Sequence, residues 1–118
     1  MEKFQELRVW QEAKALVVFV YKCTKVFPLE ERFGITSQMR RAAVSVAANI
    51  AEGSKKRSAR ERRRFHEMAE TSLEELKSHA MIASELAFFS DAKDSEAILE
   101  HGRRVGRMLA RLTATIRD

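Results

Sequence analysis

The chain has little of what breaks a helix or builds a strand. Its 118 residues include one proline, four glycines and one cysteine. No apolar-polar alternation reads as a half-buried strand, and no Asn-Gly or Asp-Gly pair reads as a hairpin turn. A lone Cys23 excludes an internal disulfide; set in an apolar helical run, it reads as a small core residue of a reducing compartment. No apolar run is long enough to cross a bilayer, and the opening MEKFQELRVW lacks the apolar core of a secretory signal, so a cytoplasmic protein without a membrane partner is expected. His66, His79 and His101 have no metal-ligand spacing with Cys23 or with one another. No glycine-rich phosphate loop is present, and no Ser-His-Asp arrangement can be placed. The expectation is a protein with no enzymatic activity, no metal and no cofactor.

What is present is helix-forming: many Ala, Glu, Arg and Leu. At this length one domain is expected, 1–118, with a modest core. Four helices follow from the pattern. The first spans Leu7 to Val26 and stops near Pro28. Its polar arc is only Gln11, Lys14, Lys22 and Lys25. The apolar arc, from Val9, Trp10 and Ala13 through Leu16, Val17, Phe19, Val20, Tyr21 and Cys23 to Val26, covers roughly 200°, twice the stripe of an ordinary surface helix. One flank is expected to face the bundle and the other a second copy of the chain. After a turn at Gly34, Thr36 or Ser37 caps a second helix that ends at Gly53. Ser58-Ala59-Arg60-Glu61 is a capping box that starts a third helix at Ala59, running to Phe89. Its stripe is Phe65, Ala69, Ser72, Leu76, His79, Ala83 and Leu86. A fourth helix, after the polar turn 90–94, carries Ile98, Gly102, Val105, Leu109, Leu112 and Ile116. Both stripes alternate steps of four and three, the spacing of bundle packing. An all-α, up-down-up-down antiparallel four-helix bundle is the simplest closure.

The second helix has two unlike faces. At about 100° per residue, Met39, Ala42, Ala43, Val46 and Ile50 share one side. Gln38, Arg41, Ser45, Asn49 and Glu52 form a file on the other. The third helix offers Ser72, Glu75 and His79 at matching spacing. The expectation is a structural polar network between the two helices, with Arg41 and Glu75 as partners, because buried polar groups must be paired. A ligand-contacting face is the other reading.

The net charge is +5. Lys55, Lys56, Arg57, Arg60, Arg62, Arg63 and Arg64 put seven positive charges into ten positions. Several fall in the first turn of the third helix, where the helix dipole disfavours cations by roughly 0.3–1 kcal/mol each. Lys55, Lys56, Arg57, Arg60, Arg63 and Arg64 are therefore candidate phosphate-binding residues, against the plainer reading of a solvated helix end. Arg103, Arg104, Arg107, Arg111 and Arg117 make a second basic face. It lies toward a helix C-terminus, where cations suit the dipole and need no function.

The stretch QMRRAAVSVAANIAEG, Gln38 to Gly53, resembles the signature of the four helix bundle protein family, also called 23S rRNA intervening-sequence proteins. Phe4 and Leu7-Arg8-Val9-Trp10 resemble its opening, Phe27-Pro28 and Phe33-Gly34 its first connection, and Ser72-Leu73 with Glu75-Leu76 its third-helix motif. Ala47 stands where the family often has Pro, so the second helix is expected to be straighter. The resemblance implies no enzymatic activity and a ring-like homopentamer. A more distant similarity, to the accessory protein of diversity-generating retroelements, implies work beside nucleic acid. Two functions are thus carried forward. One is an oligomer that binds RNA or DNA backbone through its basic patch. The other is a protein-interaction scaffold with a protein partner and no direct nucleic-acid binding.

Overall fold

The computed structural model describes residues 3–118. They form four α-helices: α1, Arg8–Thr24; α2, Ile35–Gly53; α3, Ala59–Glu85; and α4, Ala92–Ala114. Two short 3-10 turns, Phe4–Glu6 and Leu29–Glu31, precede α1 and α2. Each helix packs on two neighbours, α1 on α2 and α4, and α3 on α2 and α4, with no close backbone approach across either diagonal. Side-chain contacts run in opposite order along neighbouring helices. Ser45 meets Ser72 while Gly53 meets Phe65, and Ser95 meets Ala80 while His66 meets Thr113. The fold is an antiparallel up-and-down four-helix bundle.

The core is aliphatic and built from the expected faces. Leu16, Val20, Met39, Val46, Ile50, Leu76, Ile98, Val105 and Leu109 are fully enclosed. On α2, Met39, Ala42, Ala43, Val46 and Ile50 are all buried, and the helix runs unbroken through Ala47. Cys23 is buried, and loss of solvent with Asp94 nearby pushes its thiol up to about 11, so it stays protonated. No helix of the described residues is long and apolar enough to cross a membrane.

Three boundaries differ from the sequence expectation. α1 closes at Thr24, whose Oγ1 turns back onto the Val20 carbonyl at 2.8 Å. α2 begins at Ile35, so neither Thr36 nor Ser37 is its cap. Thr36 is buried inside the first turn with its hydroxyl unpartnered, and Glu31 Oε1 accepts from Ile35 N at 3.3 Å instead. A carboxylate at this position also suits the helix dipole. α3 ends at Glu85, short of Phe89, in a Schellman turn. Phe88 N donates to Ala83 O and Ala87 N to Ser84 O, with Ala87 in the left-handed region at φ 58°. The turn folds Phe88 and Phe89 onto Phe27, with ring centroids 5.7 and 5.0 Å away.

The α3 stripe also shifts. Ala69, Leu76 and Ala83 are buried, but the positions expected at Phe65, Ser72 and His79 are taken by His66, Leu73 and Ala80. Leu86 is exposed. The observed stripe keeps the same alternation of three and four with a constant one-residue offset at those three positions, and both registers repeat every 3.5 residues, so spacing alone does not choose between them.

Candidate nucleic-acid interface

The antiparallel order gathers the start of α1, the end of α2, the start of α3 and the end of α4 at one end of the bundle. This is the basic end. α2 reaches it through Gly53, which is helical and not left-handed. Its role is close approach: a Cβ there would lie 3.0 Å from Phe65 Cβ. The residues after it form a tight turn. Ser54 N donates to Ile50 O, Lys55 N to Glu52 O and Lys56 N to Gly53 O, which satisfies the last carbonyls of α2. Ser58 then accepts from Glu61 N at 3.0 Å and starts α3, the serine half of the expected capping box.

This turn displays its cations outward. Lys55, Arg57, Arg60 and Arg64 are exposed, and no carboxylate of the described residues lies within 4 Å of any of them. Lys56 lies over the Phe65 ring, its Nζ 4.9 Å from the centroid. Arg63 is engaged: its guanidinium meets Asp118 at 2.7 Å and the Ile116 carbonyl at 3.3 Å. Arg60, Arg63 and Arg64 share a hollow of about 670 Å3 with Glu61 and Glu67, which leaves the 55–57 turn as the least compensated part of the cluster.

The arginines of α4 contrast with these. Arg103 and Arg107 meet Glu100 at 2.8 and 3.9 Å, and Arg104 meets Glu12 at 3.0 Å. Only Arg111 and Arg117 of that face have no carboxylate within 4 Å among the described residues.

The polar file is divided. Ser45 Oγ and Ser72 Oγ are 2.8 Å apart across the α2–α3 contact, and Asn49 Nδ2 donates to Ser45 Oγ at 3.1 Å and to the Ser45 carbonyl at 2.9 Å. Gln38, Arg41 and Glu52 are exposed and stay outside this chain of bonds. The Arg41–Glu75 pair does not form: Glu75 Oε2 sits 3.2 Å from His79 Nε2 on its own helix. The physical reason is the small residues themselves. Ser45 against Ser72 and Gly53 against Phe65 bring α2 close to α3, and the long charged side chains stay at the flanks.

Behind the basic turn lies a pocket of about 470 Å3, open to solvent on one side and walled by Leu7, Ile50, Leu112 and Ile116, with Arg62, His66 and Arg117 also lining it. His66 is buried, and its Nδ1 lies 2.7 Å from Thr113 Oγ1. Burial, with the Arg62 guanidinium adding repulsion, holds its imidazole below the ordinary 6.5, so it is neutral at pH 7. Sequence reasoning missed this group. His66 falls one position off the expected stripe, and its partner is 47 residues away.

The model of one protein family, described as 23S rRNA-intervening sequence protein, matches residues 5–111. The chain belongs to that family. No curated protein matches it significantly. The match covers α1, α2, α3 and most of α4, including the basic turn. The cavity wall from Leu112 to Arg117 lies beyond it.

Proposed function

We propose that this member of the 23S rRNA-intervening sequence protein family is a non-enzymatic, self-associating bundle that binds RNA or DNA backbone at its basic end. The observation that carries the reading is the uncompensated charge of the 55–57 turn with Arg60 and Arg64. Arg60 stands in the first turn of α3 against its dipole, while Lys55, Lys56 and Arg57 lie just past the C-terminus of α2, which suits cations. A phosphate chain would pair with charges that no carboxylate of the described residues meets. Most α4 arginines, by contrast, are occupied with Glu12 and Glu100. The family's description points toward RNA as well.

Self-association is supported by α1. Its outer flank leaves Val18 and Tyr21 exposed, with Val44 of α2 beside them, and Val26 is exposed just past its end. Five copies, the number implied by the family resemblance, would carry about +25, enough for strongly salt-dependent binding. Phosphate contacts carry no sequence information, so binding is sequence-tolerant.

The scaffold reading has its own support at the opposite end, where Phe33 is 84% and Leu29 76% exposed, a surface suited to a protein partner. Filter binding of the purified protein to RNA and to duplex DNA across a salt series separates the two. Backbone binding gives affinity that falls linearly on a log–log plot, by about 0.9 per duplex phosphate neutralised and about 0.7 per single-strand phosphate. No binding to either at low salt leaves the scaffold. Light scattering at micromolar concentration tests assembly, and a monomer there overturns the oligomer.

A further inference from the structure

Backbone binding leaves the cavity at the basic end unused. Its volume of about 470 Å3 is that of a small-ligand pocket. Leu7, Ile50, Leu112 and Ile116 give it aliphatic walls. Among the described residues no carboxylate lies within 4 Å of Arg62 or Arg117, which also line it. Ser54, another lining residue, is followed directly by Lys55, so the basic turn borders the opening.

His66 adds an independent constraint. Thr113 Oγ1 is 2.9 Å from the Leu109 carbonyl and 2.7 Å from His66 Nδ1. The hydroxyl has one proton, and a carbonyl can only accept. A Thr113 hydroxyl that donates to Leu109 O accepts from Nδ1–H, the assignment that uses both contacts. Nε2 then carries a lone pair, to which no described group donates. A ligand that uses all three features offers an anion to the arginines, a compact apolar body to the walls and, in place of water, a hydrogen-bond donor to Nε2. A fatty carboxylate lacks the donor, and a bare phosphate lacks both the body and the donor. A nucleotide has all three: phosphate, the faces of the base, and an amine or hydroxyl.

We propose that the cavity takes one unstacked nucleotide of a single strand, its base among Leu7, Ile50, Leu112 and Ile116, its phosphate at Arg62 and Arg117, and a donor of base or ribose on His66 Nε2. The flanking phosphates follow the Lys55–Arg57 turn. This rests on the backbone-binding reading and adds a preference to it. Unpaired strands can splay a base out, whereas a duplex holds its bases stacked.

The test compares a fluorescent single-stranded RNA with its duplex by anisotropy at one low salt concentration. A 5′-mononucleotide and decanoate serve as competitors. The wild-type protein should prefer the single strand by about tenfold or more, equivalent to about 1.4 kcal/mol. The mononucleotide should compete and decanoate should not. Thr115→Trp fills the cavity from an exposed wall position and should abolish the preference while leaving duplex affinity unchanged. Arg117→Gln, a surface change, should weaken the single strand more than the duplex even if Thr115→Trp folds poorly. Equal binding of strand and duplex by the wild type overturns the inserted nucleotide and leaves backbone binding standing. Displacement of the strand by decanoate, or a mononucleotide bound with no affinity for strands, also overturns it, in favour of a free small anion. Failure to bind any nucleic acid removes both readings.

Discussion

The two ends of the bundle are built from different materials. The far end is closed by aromatic rings: Phe27 is buried against Phe88 and Phe89, and the Schellman turn after α3 exists to put those rings there. The basic end is closed by a short polar turn, an ion pair from Arg63 to Asp118, and an open pocket, with its rings, Phe4 on Trp10 and Phe65 under Lys56, set to the flanks of the helices. The far end buries Phe27 among its rings, although it also holds an unpartnered Thr36 hydroxyl and a left-handed Ala87. The basic end carries a cluster of cations with few carboxylate partners and leaves a pocket open. Where a structure gives up stability without a structural return, function is the natural reason.

If this contrast is right, mutations at the far end should change melting and leave binding alone. Phe27→Ala should give the largest effect, about 3–5 kcal/mol of lost stability, since a large buried side chain is removed from a packed cluster. Thermal melting followed by circular dichroism reads it. Binding measured well below the melting temperature should match the wild type, and a parallel loss of binding would break the separation.

Gly53→Ala comes next and sits where the two ends' logics meet. Its new Cβ would lie 3.0 Å from Phe65 Cβ, so α2 and α3 must move apart. The crowding, about 1–3 kcal/mol, is partly offset by alanine's better helix propensity, about 1 kcal/mol, so a net loss of up to about 2 kcal/mol is expected in urea unfolding. Because Gly53 also lines the cavity, this variant, unlike Phe27→Ala, should alter binding as well.

His66 gives the basic end a pH dependence. Its folded value is held below its unfolded 6.5, so the unfolded chain binds the proton more readily. Stability is full above about pH 6.5, falls as pH drops through that point, and levels off only below the depressed folded value. Urea midpoints at about pH 7.5 and about pH 5.5 measure the loss, and His66→Gln should shrink the difference. A wild-type midpoint that does not fall over this range would contradict the buried neutral imidazole.

The smallest effect is a gain. Ala87 occupies a left-handed position that favours glycine. Relief of that strain is partly offset by the extra freedom of glycine in the unfolded chain, so Ala87→Gly should stabilise the far end by up to about 1 kcal/mol. A lower melting temperature would show that this turn is held by something other than its backbone conformation.

The sequence made the two ends unequally legible. The core face of α2 was readable from one helical wheel, because five residues within twelve positions leave no room for drift. The start of α3 was readable because the cap and its donor are three residues apart. The end of α3 was not: Phe88 and Phe89 continue an apolar pattern, and only a left-handed alanine, a conformation that alanine does not favour, stops the helix before them. Long-range pairings were the least visible. Ser45 and Ser72 meet because small residues let two helices close, and the same closeness excludes the Arg41–Glu75 pair that spacing alone had favoured. The candidate phosphate contacts were legible as charge. Which of those charges are free was not, because Arg63 finds its partner 55 residues away.

The central claim, that the 55–57 turn is a phosphate contact and the α4 arginines are structural, is tested most directly by comparing salt slopes. One variant carries Lys55→Ser, Lys56→Ser and Arg57→Ser; the other carries Arg104→Ser, Arg107→Ser and Arg111→Ser. Duplex binding is measured against salt for both and for the wild type. The account predicts that the turn variant loses roughly 0.9 of log–log slope for each phosphate contact removed, weakens all sequences equally and melts as the wild type does. The α4 variant should keep most of its slope. A turn variant that binds with the wild-type slope, or an α4 variant that loses more than the turn variant, would contradict it.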